Sequence, residues 1–293
     1  PLGRDLVTSY ATELADLDQD GDLDIAVGND NAPNAIFLND GHGHFRHHAS
    51  FGQPSSIRSL TLFDIDQDGD TDILANARGK PNLIFFNDGS ANFPTSQSFG
   101  NAVDSTIDVA VADLNNDGHP DLVLANRDGQ QNVVLLNDFL KSGQTRFTQR
   151  IPFGNGRDDT RAVAAFDLDG DGNLDWVTGN IRQSNVIYFG DGKGGVIKTL
   201  NFGLADGQTY TIAIADMDND GHLDIIVGNI AQSNAVFFNH GDGKQFREVR
   251  FGDPSQATYN LAVGDLNQNG YLDIAVANSD TQNLIYLNLP LKQ

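Results

Sequence analysis

DLDQDGDLD (Asp16–Asp24) is followed by five relatives of itself: DIDQDGDTD (Asp64–Asp72), DLNNDGHPD (Asp113–Asp121), DLDGDGNLD (Asp167–Asp175), DMDNDGHLD (Asp216–Asp224) and DLNQNGYLD (Asp265–Asp273). Successive first Asp residues stand 48, 49, 54, 49 and 49 apart. One unit therefore fills the 293-residue chain, and its length is that of a propeller blade. The long third interval holds an expanded turn, 137–147.

Numbered 1–9, the loop carries Asp or Asn at positions 1, 3 and 5, Gly at 6 and Asp at 9. Alternate oxygen-bearing side chains in a tight loop suit a hard cation such as Ca²⁺, which takes oxygen ligands. Position 6 is Gly in every copy (Gly21, Gly69, Gly118, Gly172, Gly221, Gly270), which predicts a turn with positive φ. Position 7 varies among Asp22, Asp70, His119, Asn173, His222 and Tyr271, so its backbone carbonyl is the expected ligand. The predicted metal set is then Asp16, Asp18, Asp20, Asp22 and Asp24; Asp64, Asp66, Asp68, Asp70 and Asp72; Asp113, Asn115, Asp117, His119 and Asp121. It continues with Asp167, Asp169, Asp171, Asn173 and Asp175; Asp216, Asp218, Asp220, His222 and Asp224; Asp265, Asn267, Asn269, Tyr271 and Asp273.

A bare Asp/Asn/Gly turn is the alternative, but six copies with fixed Asp at 1 and 9 and fixed Gly at 6 argue against it. An EF-hand is excluded, since the Glu it needs after the Gly is Val27 in the first copy. Transition metals are disfavoured, because no His or Cys supplies a ligand side chain. The sixth loop has only Asp265 and Asp273 as carboxylates and is expected to bind most weakly.

Between loops the fifth unit serves as a pattern. Phe202-Gly203 opens it, and apolar Ile212–Ala215 leads into the loop. Leu223–Asn229 and Asn234–Asn239 follow, then a Gly-rich turn and Gln245–Gly252 with Arg247 and Arg250. These are four short β runs; the first three are apolar on both faces and the fourth alternates. The expected fold is all-β: a six-bladed β-propeller of four-stranded antiparallel blades, one domain over 1–293. Its repeats run over about 1–52, 53–100, 101–154, 155–203, 204–252 and 253–293. Phe-Gly pairs recur at Phe51, Phe99, Phe153, Phe202 and Phe251, with Leu2-Gly3 at the same offset in the first unit. The sixth unit stops after its third run, so its fourth strand is expected upstream of Pro1 or not at all.

The formal charge is −22, from 40 acids against 18 Lys and Arg, which argues against nucleic acid or an anionic membrane as partner. Asp fills positions 1, 3, 5 and 9 four, four, three, four, four and two times in the six loops, 21 in all. Six divalent cations would bring the charge to −10. Acidity is thus mostly a metal-site signature. There is no Cys, and no apolar run approaches the ~18 residues of a membrane span. A start at Pro1 without Met or signal peptide suits a mature or trimmed form.

The Phe-Gly start, the DxDxDGxxD loop and the following LDIxVGN-like strand resemble FG-GAP/VCBS repeats over the whole chain. The resemblance implies about six Ca²⁺ ions, one per blade on one face, with positions 1, 3, 5, 7 and 9 as ligands. Seven blades are common in that family, but six account for this chain. The "GAP" element is absent as such; Val27-Gly28-Asn29 stands near that point.

Six residues before each loop lie Tyr10, Arg58, Ile107, Arg161, Tyr210 and Tyr259. The aromatic and Arg members suit sugar stacking or carboxylate contacts on the opposite face. Glu13, where other units have Thr or Ala, reads as a channel-facing carboxylate, the His-rich Gly41–His48 as a solvated strand, and Trp176 as core. No unit holds a clustered base and charge-neutralising groups. The expectation is a secreted or cell-surface, non-catalytic calcium-binding module for adhesion, with a glycan (carbohydrate) or protein ligand. A polysaccharide lyase or sugar dehydratase, and a spacer domain of a larger surface protein, are the alternatives.

Overall fold

The computed structural model describes residues 7–289. The pair Leu2-Gly3 lies outside them.

The repeat pattern translates directly into sheets. Blade 1 is β1 (Thr8–Ala15), β2 (Asp24–Asp30), β3 (Asn34–Leu38) and β4 (Arg46–Phe51); blade 2 is β5 (Ile57–Phe63), β6 (Asp72–Ala77), β7 (Asn82–Phe86) and β8 (Thr95–Phe99). Blade 3 is β9 (Thr106–Ala112), β10 (Asp121–Asn126), β11 (Asn132–Leu136) and β12 (Gln149–Phe153), with one helical turn α1 (Phe139–Ser142) in the expanded connection. Blade 4 is β13 (Thr160–Phe166), β14 (Asp175–Asn180), β15 (Asn185–Gly190) and β16 (Val196–Phe202). Blade 5 is β17 (Thr209–Ala215), β18 (Asp224–Asn229), β19 (Asn234–Asn239) and β20 (Phe246–Phe251); blade 6 is β21 (Ala257–Gly264), β22 (Asp273–Ser279) and β23 (Leu284–Tyr286). Strand order in each sheet is sequential, so every blade is a meander. The chain is an all-β six-bladed propeller; among the described residues blade 6 has three strands, as its sequence suggests.

Second strands are mostly buried (β6, β10, β14 and β18 at every residue, β22 with Ala277 exposed), while fourth strands such as β16 and β20 are mostly exposed. That explains the loss of period-2 alternation in the former. Two compact units make up the chain: Pro1–Val111 with Asp117–Pro152, and Ala112–Asn116 with Phe153–Gln293. Within each, apolar layers form where one blade's face meets the next. Leu17 and Ile36 pack with Leu60 and Ile73; Leu74 and Ile84 pack with Val109 and Leu124. In the second unit Leu168 and Ile187 pack with Ile225 and Val227, and Met217 and Val236 with Leu261 and Ile274.

The Phe-Gly pair acts as a hinge pin between blades. The Phe ring meets an aromatic of the next blade edge-on: Phe51 with Phe85 at 5.1 Å, Phe202 with Phe237 at 5.0 Å, Phe251 with Tyr286 at 4.9 Å. The Gly turns the chain with positive φ, between 68° and 80° in all five copies. Trp176 is core as expected, fully buried and stacked on Tyr188.

Candidate metal centres and the opposite rim

Each acidic loop joins the first strand of its blade to the second. Position 9 is the first residue of the second strand and is fully buried in all six copies (Asp24, Asp72, Asp121, Asp175, Asp224, Asp273). Its carboxylate is a backbone clamp. One oxygen accepts the N–H of position 2: Leu17 to Asp24 at 2.9 Å, Met217 to Asp224 at 2.8 Å. The other accepts the N–H that ends the third strand: Asn87 to Asp72 at 2.8 Å, Asn288 to Asp273 at 2.7 Å. Position 1 folds the loop on itself, Asp64 accepting the N–H groups of Asp68 (3.1 Å) and Gly69 (3.0 Å). Position 5 accepts the N–H of position 7, as Asp20 does from Asp22 at 3.0 Å.

The structure brings positions 1, 3 and 9 together. In four loops one oxygen from each lies within 4.8 Å of the others: Asp16/Asp18/Asp24, Asp64/Asp66/Asp72, Asp167/Asp169/Asp175 and Asp216/Asp218/Asp224. The third and sixth loops carry Asn115 and Asn267 at position 3 and so cannot offer that carboxylate trio. Position 5 is outside these trios. Position-7 side chains turn toward neighbours: Asp70 takes a hydrogen bond from Gln19, and His119 pairs with Gln67 at 2.7 Å.

Electrostatics set the fit test. Asp16 Oδ1, Asp18 Oδ1, Asp66 Oδ1 and Asp169 Oδ1 are buried and accept no hydrogen bond. A buried carboxylate oxygen without a donor is costly, and more so beside others. Burial, then neighbouring Asp24 and Asp20, pushes the Asp18 carboxyl up; burial and Asp68 do the same for Asp66. Burial pushes Asp72 up to about 7, and Asp175 and Asp224 to about 6, against the opposing backbone N–H bonds. A cation among the three oxygens removes all of these costs, so the residues fit a hard divalent ion and acidic clusters in several blades could hold one.

Sequence reasoning missed position 4. Gln19, Gln67, Asn116, Gly170, Asn219 and Gln268 all have φ between 59° and 72°. In three loops this left-handed residue aims its amide at the next blade's loop: Gln19 Nε2 donates to Gly69 O at 3.2 Å, Gln67 Nε2 to Gly118 O at 2.8 Å, Asn219 Nδ2 to Gly270 O at 2.9 Å. Asn or Gly in three of the six copies (Asn116, Gly170, Asn219) was the available signal. Also missed was the Asn after the third strand. Asn87, Asn239 and Asn288 donate across to Leu17, Leu168 and Met217 carbonyls at 2.9, 2.9 and 2.7 Å.

At the other end of the first strands, the five rim residues share one cause. In each of the five blades concerned, pairing of first and second strands shifts register at that residue: Tyr10, Arg58, Arg161, Tyr210 and Tyr259. Each is a bulge residue, re-aimed out of the ladder. The structure brings them together as two sets. Arg58 lies over the Tyr10 ring at 4.4 Å and also pairs with Asp30 at 3.5 Å. Arg161 lies over Tyr210 at 5.3 Å, and Tyr210 meets Tyr259 at 5.2 Å. Among the His run, His44 pairs with Asp40 and His48 with Asn92, both exposed. Glu13 sits close enough to Asp108 that, after burial, this neighbour raises its carboxyl.

The description "FG-GAP-like repeat" matches residues 16–75, 64–124, 113–178, 167–227 and 216–276. Among solved structures, the chain is similar to "BBS1N in complex with ARL6DN, soaked with mercury", at 10% identity and TM-score 0.62, covering 96% of this chain and 80% of that one. The same complex soaked with lead matches at 12% identity and TM-score 0.57, covering 100% and 95%. At that identity the likeness concerns the fold. No curated protein sequence matches the chain.

Proposed function

The chain belongs to the FG-GAP-like repeat family, and from that premise we propose that it is a calcium-loaded, non-catalytic binding module for a protein partner. Four buried acceptor-only oxygens at positions 1 and 3 carry the calcium half of this reading. Calcium would be held by positions 1, 3 and 9, with position 5 and the position-7 carbonyl completing an oxygen set. It would tie the loop to the blade's buried clamp. The partner half is supported by the propeller named in the similar structures, which is in complex with another protein. The rim adds support, since Tyr and Arg are the side chains that dominate protein interfaces. Loops that need filling favour a secreted or surface location, where calcium is millimolar.

Tyr259, 47% exposed beside Tyr210, favours glycan as the second reading. One experiment orders these. Thermal unfolding is followed in about 2 mM calcium and in chelator, and a glycan array is probed in both. A large calcium-dependent rise in Tm with no glycan retained supports a calcium-loaded protein binder. An unfolding midpoint indifferent to calcium sinks the metal half. Calcium-dependent retention on a defined sugar replaces protein by glycan, and release of product from a polysaccharide replaces both by an enzyme.

A further inference from the structure

Loops 1, 2 and 4 each carry Asp at positions 1, 3, 5 and 9, yet their position-3 residues have different neighbours. Asp169 Oδ2 of loop 4 lies 3.4 Å from Lys244 Nζ, an ion pair between blade 4 and blade 5. The other oxygen, Oδ1, is buried and accepts no hydrogen bond. At the same place in loop 1, the charges that act most on Asp18 are those of Asp24, Asp20 and Asp16; on Asp66 of loop 2 they are those of Asp68 and Asp64. Loop 4 alone of these three sets a cation against its position-3 carboxylate.

The turn after β19 puts Lys244 there. Asp242 Oδ1 accepts the N–H groups of Lys244 (2.8 Å) and Gln245 (3.0 Å), which fixes the backbone. Gly243 N–H donates to Asn239 Oδ1 at 3.1 Å, and Asn239 donates in turn to Leu168 O at 2.9 Å, so the turn is tied to loop 4 at its root. Gly243 has a φ of 62°, and a Cβ on it would come within 3.0 Å of Asp169 Cβ and 3.2 Å of Leu168 Cγ. Glycine thus lets the turn ride close on loop 4. Lys244 Nζ also stands over the Phe189 ring, 5.7 Å from its centroid. In blade 2 the residue at the same place, five after Asn87 as Lys244 is five after Asn239, is Asn92. Its amide turns back onto Asp88 of its own turn, at 3.3 and 3.4 Å.

A cation entering loop 4 meets one already there. If it takes Asp169 Oδ2 it must displace the ammonium. If it takes Oδ1, two positive charges share one carboxylate and repel. Either way the ammonium opposes filling, and it offsets the loop's charge while no ion is bound. We propose that Lys244 is a tethered competitor for the loop-4 cation, an affinity-setting residue through which loop 4 holds calcium less tightly than its four carboxylates would allow. Arg247 gives loop 5 a looser version, 3.7 Å from Asp218 and stacked over Phe238 at 4.0 Å. Calcium loading is then graded from loop to loop. The inference rests on calcium as the loop ion, and its test separates the two.

The test uses the one Trp in the chain. Trp176 directly follows Asp175, the position-9 carboxylate of loop 4. Terbium(III), a hard cation that takes calcium's oxygen ligands, emits when excited through a nearby indole, so Trp-excited emission reports loop 4. Terbium titration and its reversal by calcium are followed on the full chain, on Lys244→Gln and on Lys198→Gln. Lys198 stands over the same Phe189 ring at 5.6 Å and controls for a general change in charge. Lys244→Gln should bind both ions about 3–10-fold more tightly, and Lys198→Gln within about 2-fold of the parent. Thermal unfolding adds a change of sign. Lys244→Gln should melt below the parent in chelator, where an ion pair is lost, and at or above it in saturating calcium, where a competitor is gone. Equal affinities in the parent and Lys244→Gln, a matching gain in Lys198→Gln, or the same fall in Tm with and without calcium overturns the proposal and leaves calcium in the loop. No Trp-excited emission from any of the three proteins removes the ion from loop 4 and overturns both.

Discussion

A buried aspartate that clamps backbone and stands in a candidate cation site has two separable roles. Asp72 accepts N–H bonds from Ile65 (3.1 Å) and Asn87 (2.8 Å). Asp72→Ala should cost about 2–4 kcal/mol even in chelator, since two buried donors lose their acceptor. Asp68→Ala removes an exposed turn bond, from Asp70, and should cost about 0.5–1 kcal/mol in chelator. Its larger effect should be the loss of part of the calcium-induced rise in Tm. Urea titrations of both variants with and without calcium check the split; equal costs in chelator would remove the clamp from the argument. The spacing of Asp and Gly made the convergence of positions 1, 3 and 9 legible. The clamp was not, because its donors lie 7 and 15 residues away, one in the loop itself and one just past the third strand.

At the level of the blade, strand content was readable from apolar runs and turn residues, while the cross-blade ties were hidden. Position 4 reads as a variable loop residue until its φ is known, and the terminal Asn reads as a turn former. Blade 4 breaks the second pattern with Gly190. There Leu114 O keeps the backbone bond from Gly194 N–H at 3.0 Å, the counterpart of Ala91 N–H to Leu17 O in blade 2, and a Cβ on Gly190 would lie 2.1 Å from Leu174 O. Gly190→Asn, which restores the residue of the other blades, should therefore destabilise by about 1–3 kcal/mol in urea unfolding. A second tie has a pH signature. The hydrogen bond from Arg78 Nε to Asp128 at 2.9 Å holds the Asp128 carboxyl below its usual range. A carboxyl depressed in the folded state stabilises above its unfolded pKa, and that stability is lost as pH falls through the folded value. Both side chains are about two-fifths exposed, which limits the pair to roughly 0.3–1 kcal/mol. Arg78→Ala should cost that amount at pH 7 and nothing near pH 2; a constant cost across the titration would show that packing, not charge, is lost.

For the whole molecule, charge dominates. At −22 the chain opposes its own compaction, and filling six loops would remove more than half of that charge. Unfolding in chelator should consequently be rescued in part by simple salt, with Tm rising as ionic strength screens the acids, while saturating calcium should flatten that dependence. Equal salt slopes in both conditions would place the acidity elsewhere. Repeat number, sheet class and loop chemistry were all legible at this scale because they recur. The pairing of rim residues was not, since a bulge leaves no mark in a single strand's pattern.

That bulge has a further consequence. A residue displaced from the ladder can change without disturbing either strand's register or the layers between blades. Tyr10, Arg58, Arg161, Tyr210 and Tyr259 therefore sit on a scaffold that tolerates their replacement, much as hypervariable loops sit on an antibody framework. Evolution can redraft what this rim recognises without renegotiating the fold, and a library randomised at these positions would sample new specificities from molecules that all still fold.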